Sequence, residues 1–439
     1  MNPAGSVPAP EPVQGKKISA AYRRLVIAGA FGTTIEWYDF FAYALIAPLV
    51  FDTNFFPKAD PLVGMIAVYA TFAIGFVARP IGGVIFGHFS DRVGRKSVLM
   101  ITLLLMGIAS TLIGVVPSYA TIGIAAPIIL VTLRVLQGLA LGGESIGAVV
   151  LIMENAPTER RGFFASFCNA AGPIGIICSS GLSTLLMAHY GRAGFQAWAW
   201  RIPFLLSFIL VLIGAYMRSH IDESFLFTDA LKKQKIQRLP IAVVMKSWKK
   251  SMLFAFLVNL VHSSYNYLST IFLMAYAIKK LALSQAGVTS GFTIGNVIEL
   301  VTVLVIAHLS DRIGRKPFLI VGAICAAIYF PILVNVMLMK NVFYFIIALS
   351  FSIGIVHALM FAPEAAFSAE QFPTEVRVSG ASVGKQLGVV LGGGIAPLVA
   401  TGLMGRSTSF TPVLCYFWVM ALLALVGVLF AKESSKRAL

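Results

Sequence analysis

Long apolar stretches separated by short polar ones run along the whole 439-residue chain, with runs near 25–51, 62–88, 98–116, 127–153, 163–188, 200–218, 251–278, 287–309, 317–338, 342–366, 379–404 and 411–431. At roughly 1.5 Å per residue each run spans a bilayer core. The pattern predicts an all-α integral membrane protein with twelve transmembrane helices. A polar decapeptide occurs twice between such runs, as Gly87-His88-Phe89-Ser90-Asp91-Arg92-Val93-Gly94-Arg95-Lys96 and Ala307-His308-Leu309-Ser310-Asp311-Arg312-Ile313-Gly314-Arg315-Lys316, offset by 220 positions. A second pair, Glu154-Asn155-Ala156-Pro157-Thr158-Glu159-Arg160-Arg161 and Glu370-Gln371-Phe372-Pro373-Thr374-Glu375-Val376-Arg377, is offset by 216. Duplication on this scale implies two pseudo-symmetric six-helix bundles. The expected division is a disordered tail over 1–20, bundles over 21–218 and 251–431, a cytoplasmic linker over 219–250 and a tail over 432–439.

Composition agrees with lipid as the solvent, since 58% of residues are hydrophobic, 12% are charged and the mean hydropathy is +0.87. A soluble fold would leave large apolar surfaces in water. The net charge of +16 is dealt out to alternate loops and forms no single stripe, so nucleic-acid binding is not expected. With the first helix leaving the cytoplasm, inner loops and tails hold 24 Lys and Arg against 7 outside. Both termini are then cytoplasmic, in a multi-pass protein of the cytoplasmic membrane. A basic cluster (Lys16, Lys17, Arg23, Arg24) precedes a first helix too long for a cleaved signal. The linker, with Lys232, Lys233, Arg238, Lys246, Lys249 and Lys250 among apolar positions, fits the inner leaflet surface.

Cys168, Cys178, Cys325 and Cys415 are scattered through predicted helices without metal-ligand spacing. No phosphate loop, nucleophile elbow or zinc-protease motif is present, which argues against ATP-driven transport and against an enzyme. No metal or cofactor is expected, and a proton gradient is left as the energy source. The expected partners are lipid, a proton and a small organic anion, with the protein acting as a monomer.

Gly-x-x-x-Asp-Arg-x-Gly-Arg-Lys at 87–96, Arg-x-x-Gln-Gly at 134–138 and Pro-x-x-x-Arg-Gly at 157–162 resemble motifs of the major facilitator superfamily. Ile35-Glu36-Trp37-Tyr38-Asp39-Phe40, Ala78-Arg79-Pro80-Ile81-Gly82-Gly83, Gln137-Gly138-Leu139-Ala140-Leu141-Gly142-Gly143-Glu144 and Ser379-Gly380-Ala381-Ser382 resemble its metabolite:proton symporter family, over about 20 to 432. Trp200-Arg201-Ile202-Pro203-Phe204-Leu205 is most similar to the shikimate-type organic-acid carriers. The resemblance implies two bundles, alternating access and proton-driven import. Lys385 departs from the family, where an aromatic residue is usual, as do Ser145 and Ile146, where an aromatic residue and glycine are common. Gly172-Pro173-Ile174-Gly175 matches an antiporter motif only in part.

The residues point the same way, because a charge inside the bilayer is costly unless it is paired or faces water. Three cations, Arg79, Arg134 and Lys385, lie in the interior of apolar runs, away from their ends. Glu36 and Arg79 sit at matched depths, each roughly 18 Å from its basic helix edge, and Glu36 and Asp39 share a helix face. The expected proton-coupling set is Asp39, Arg134, Glu36, Arg79 and Glu144, with Asp39 the proton site and Arg134 its switchable partner. The alternative is that Glu36 with Arg79, and Asp39 with Arg134, are permanent pairs that set register. The row Gly75, Arg79, Gly83, Gly87 reads as a tight helix contact. Expected substrate contacts are Arg134, Gln137, Ser145, His262, Asn266, Tyr267 and Lys385, with Lys385 held either by a substrate carboxylate or by Glu299 or Glu364. His357, a lone histidine on an apolar helix, reads as structural. The expected gates are Asp91, Arg92 and Arg95 with Glu154, and Asp311, Arg312 and Arg315 with Glu370. Rival functions are an exporter or antiporter on the same fold and a carrier of zwitterionic compatible solutes.

Overall fold

In a bilayer every backbone N–H and C=O must be satisfied within the protein, which an α-helix does within one segment. The computed structural model describes residues 20–56, 61–233, 237–405, 409–433 and 435, and its elements are helical throughout. The tail expected over 1–20, with Lys16 and Lys17, falls outside the described residues up to position 19, as do 434 and 436–439 of the second tail. Helices one to six run Ala20–Phe55, Pro61–Val93, Arg95–Val115, Ala125–Asn155, Arg161–Gly194 and Arg201–Ser219. Helix seven is Lys249–Tyr267, continued by a π turn over Leu268–Leu273 and by Met274–Lys279. Helices eight and nine are Gln285–Ile313 and Arg315–Leu338. Helix ten covers Val342–Glu370 and helix eleven lies within Thr374–Gly405, with π turns at Ser352–His357 and Val390–Ile395. Helix twelve is Thr411–Phe430. Two short helices, Phe225–Lys232 and Pro240–Ser247, occupy the segment between the halves.

Among the described residues ten helices are long and apolar enough to cross a membrane. Helices one and seven are not among those ten. They open the two halves, and their middles carry Glu36 and Asp39 in one case and Asn259, His262 and Asn266 in the other, so the polarity that lowers their hydropathy marks the interior of the protein. The outer surface is the reverse, with Val301, Ile328 and Leu422 60%, 62% and 61% exposed. Such side chains are stable there only against lipid.

The packing repeats as the sequence does. Helix one packs on five, two on four and three on six; in the second half, seven packs on eleven, eight on ten and nine on twelve. The halves meet through helix two on eleven and helix five on eight, which are equivalent contacts under the same two-fold relation. Backbones touch where glycines allow it. A Cβ at Gly142 would lie 2.6 Å from the Gly83 nitrogen, and one at Gly138 2.9 Å from the Ala78 Cβ. Along helix two, Gly75 and Gly82 face helix four, Gly87 faces helix eleven, and Gly83 lies between the two. Each repeated decapeptide turns on one glycine with a left-handed backbone, Gly94 at φ 120° and Gly314 at φ 117°, which side-chain-bearing residues rarely adopt.

Candidate transport site

Asp39 is buried at the meeting of helices one, three, four and six. Its carboxylate accepts hydrogen bonds from Ser110 at 2.7 Å and from Ser207. Ser110 accepts from the Gln137 side-chain amide at 2.6 Å, and the Gln137 carbonyl accepts from Arg134 at 2.9 Å. Donors and acceptors therefore follow one direction from Arg134 through Gln137 and Ser110 to the Asp39 carboxylate. The direct Asp39–Arg134 contact expected from the sequence is replaced by this relay, because the Arg134 guanidinium lies 3.6 Å over the Tyr43 ring. Tyr43 is in turn fixed by its hydroxyl to Thr71 at 2.6 Å.

A second charged layer lies nearer the end of the molecule that carries the basic loops. Glu144, expected among the proton-coupling groups, is instead held by Arg218 of helix six through both carboxylate oxygens and by Thr102 at 2.6 Å. Arg218 stands at the end of an apolar run, where a basic residue reads as part of a loop. It is 1% exposed. Glu36 interacts electrostatically with Glu144, Arg79, Lys385 and Arg218, while its Oε2 has no hydrogen-bond partner. No ion pair joins Glu36 to Arg79 among the described residues; the Arg79 guanidinium sits 4.4 Å over Phe76 and 4.8 Å over Phe40. Lys385 pairs with Glu364 at 3.5 Å, one of the two internal partners foreseen for it. Glu299 is taken by His357, so that histidine has a carboxylate partner and is not the isolated residue the sequence suggested.

Toward the opposite end, a cavity of about 380 Å³ opens between the halves. Trp37, Phe40, Phe41, Phe76 and Phe292 dominate its wall, and the polar groups include Asn266, Tyr267, Thr270 and Thr293. Phe41 stacks on Phe292 at 6.2 Å and Phe76 meets Tyr267 edge-on at 5.7 Å, both across the halves. Of the expected substrate contacts only Asn266 and Tyr267 line this cavity. Arg134 and Gln137 lie in the relay. His262 is buried against His357 and Phe361, and Ser145 accepts from Gln386 of helix eleven at 3.2 Å. Asp39 is buried away from this space, whereas Arg79 is half-buried and interacts with Tyr267 of the cavity wall.

The basic-loop end is closed by a reciprocal latch. Asp91 accepts from the backbone of Val378 and Ser379 at 3.3 and 2.8 Å, capping helix eleven, and Asp311 accepts from Gly162 and Phe163 at 2.9 and 2.7 Å, capping helix five. Each carboxylate thus meets the positive end of a helix in the other half. Arg95 pairs with Asp91 at 3.4 Å and Glu154 at 3.3 Å and donates to the Thr374 carbonyl at 2.8 Å. Arg377 crosses to Glu154 at 2.7 Å. Arg315 pairs with Asp311 at 2.6 Å and Glu370 at 3.3 Å. Arg92 and Arg312, expected in these networks, are exposed and form no ion pair among the described residues. Their neighbours in the helix face the other half, and their own position on the turn faces out.

A sugar (and other) transporter family model matches residues 25–439. The chain belongs to that family. The shikimate transporter of Escherichia coli (strain K12) is 34% identical over 97% of this chain and 98% of its own length. The proline/betaine transporter of the same strain is 32% identical, over 95% and 85% respectively. The proton:xylose symporter XylE, solved with 6-bromo-6-deoxy-D-glucose, shares the fold with a TM-score of 0.76 over 96% of this chain and 99% of that one, at 17% identity. The protein is a multi-pass membrane transporter and not an enzyme.

Two further residues of this transporter escaped the sequence reading. Glu223 accepts from the backbone of Arg95 and Lys96, both at 3.0 Å, and Glu433 accepts from Lys316 at 2.9 Å. Burial acts to raise the Glu433 carboxyl, but the backbone donors of Lys316, Ser435 and Arg315 hold it below its usual value. Each glutamate caps the helix that follows its half's decapeptide, and the repeated Glu-Ser at 223–224 and 433–434 was the available signal.

Proposed function

We propose that this transporter is a proton-coupled symporter importing a small organic acid across the cytoplasmic membrane by alternating access. The bulk of its basic loops faces the cytoplasm, as the charge distribution favours, so the latched end is the cytoplasmic one and the cavity faces outward. The buried relay from Arg134 to Asp39 carries the reading. A carboxylate that accepts two O–H groups within apolar surroundings is a place where one proton changes the local charge by a full unit. Protonation reverses one bond: Ser207 turns from Asp39 toward the Pro203 carbonyl, 3.4 Å away, and accepts the new O–H. The relay is then uncharged at its carboxylate end, and the charge of Arg134 balances an anion entering from the cavity. Closing the outer side over a neutralised, loaded centre avoids burying an unpaired charge. The reciprocal latch then opens on the other side.

A zwitterion is the second reading, favoured by one observation. The cavity wall offers six aromatic rings and no cation among the described lining residues, which suits a quaternary ammonium group. It also agrees with the likeness to the 32% identical proline/betaine transporter. Reconstituted protein tested for counterflow against hydroxy, dicarboxylic and cyclic acids and against betaine, with and without an imposed pH gradient, separates these readings. Acid exchange that becomes accumulation when the outside is acidified supports symport of an acid. Exchange of betaine alone moves the substrate to the zwitterion class, and acid exchange indifferent to the gradient removes proton coupling.

A further inference from the structure

Helices seven, eight and ten bring three titratable side chains together inside the C-terminal half. His357 Nδ1 is hydrogen-bonded to Glu299. Its ring stacks on that of His262 with centroids 4.6 Å apart and planes at 21°. Phe361 lies against both rings, at 5.0 and 5.1 Å. Glu299, His357 and His262 are 4%, 3% and 7% exposed. Neither ring nitrogen of His262 has a hydrogen-bond partner, and neither has His357 Nε2. No group of His, Cys, Asp and Glu able to hold a metal ion occurs among the described residues.

The charges facing this cluster come from helices ten and eleven, where Glu364 and Lys385 form a pair of their own. That pair is neutral as it stands. Glu299 with two neutral imidazoles carries one uncompensated negative charge in an apolar bundle, a costly arrangement that a single proton removes. The site for that proton is defined: Nδ1 of His357 already faces the carboxylate, which leaves Nε2. Two stacked imidazolium rings would repel strongly at this separation without water between them, so the cluster holds one proton and not two. It also sits on a movable element. The π turn Ser352–His357 ends on His357, and Thr302 of helix eight, three residues beyond Glu299, donates to the Gly354 carbonyl within that turn. Helix eight packs on helix five of the other half, so sliding between the halves acts on the Glu299–His357 contact.

We propose that Glu299, His357 and His262 form a second proton-binding centre, which takes up and releases one proton per transport cycle in addition to the proton at Asp39. The proposal rests on the symport reading above. At zero membrane potential each coupled proton multiplies the accumulation of substrate about tenfold per unit of imposed pH gradient. Reconstituted wild-type protein is therefore expected to reach about a hundredfold accumulation per pH unit. Glu299→Gln and His357→Gln should each reach about tenfold. If both variants keep the wild-type ratio, the second centre is overturned while symport stands; if wild-type protein accumulates nothing, symport itself has failed. A measurement independent of transport covers variants that do not exchange. Nuclear magnetic resonance of ring-labelled histidines in the full chain, assigned with His262→Gln and His357→Gln, should show one proton taken up by the pair, with its midpoint moved by Glu299→Gln. Two independent titrations, or a midpoint indifferent to Glu299→Gln, would overturn the proposal.

Discussion

The two halves share one packing plan but hold their buried polar groups in opposite ways. In the N-terminal half, helices one to four are unbroken α-helices, with one π turn, Phe195–Ala199, after helix five; the relay from Arg134 to Asp39 is satisfied at each step and Glu144 has three side-chain contacts, while Glu36 Oε2 has no hydrogen-bond partner. In the C-terminal half, helices seven, ten and eleven each contain a π turn. His262 and one oxygen of Glu364 lack partners, and Lys385 meets Glu364 through one contact at 3.5 Å. π turns break the regular hydrogen-bond ladder and are common at functional sites. A duplicated scaffold thus divides the labour between a rigid half that holds charge in place and a looser half that can rearrange around it.

Breaking the buried pairs should expose this contrast most strongly. Arg218→Met leaves Glu144 buried without its main partner and is expected to cost about 3–5 kcal/mol, whereas adding Glu144→Gln should recover most of the loss. Lys385→Ala should cost clearly less, because Glu364 already relies on one long contact. Thermal unfolding of the purified protein in one detergent measures all three. Equal losses at the two sites would remove the rigid-against-loose distinction.

The relay gives the next largest effect. Asp39→Asn cannot exchange a proton, and it is expected to lower gradient-driven accumulation by about tenfold per pH unit while counterflow continues. Ser207→Ala should fall between, since Ser110 still donates to Asp39. Uptake into proteoliposomes at fixed membrane potential reads both. Full accumulation by Asp39→Asn would place proton coupling outside the N-terminal half.

The fold was legible because its signals are long and redundant: apolar runs give the helices, and two repeated motifs give the halves. The site was legible only where a charge interrupted an apolar run, as at Glu36, Asp39, Arg79 and Arg134. Ser110 and Ser207 went unnoticed because a serine inside a helix bonds its own backbone as readily as a neighbour, so its presence carries little information. Arg218 was hidden by standing at a helix end, where basic residues are expected. His262 and His357, 95 positions apart, form a stack that only the packing of helix seven on helix ten creates. Charge and periodicity are local properties, and the relay and the histidine stack are not.

The latch offers a finer version of the same comparison. Asp91 and Asp311 cap partner helices alike, so Asp91→Asn and Asp311→Asn should each weaken closure by about 1 kcal/mol, the value of a charge at a helix N-terminus. The arginines are unequal. Arg95 reaches across to the Thr374 carbonyl, while the ion pairs of Arg315 stay within its own half. Arg95→Ala is therefore expected to open the basic-loop end more than Arg315→Ala, as read by spin-label distances between helices two and eleven and between five and eight.

The smallest effect belongs to the residues that the repeat made most conspicuous. Arg92 and Arg312 stand next to Asp91 and Asp311 in both decapeptides, but they are exposed and lack ion-pair partners among the described residues. Substitution of exposed residues of this kind changes stability by within about 0.5 kcal/mol. Arg92→Ala and Arg312→Ala should therefore leave the spin-label distances and the transport rate nearly unchanged, with any loss confined to the amount of protein inserted in the correct orientation, because both cations add to the positive charge of that face. A change in either distance as large as that for Arg95→Ala would show that these arginines engage the latch in another conformation, and the closed network would then be one of two.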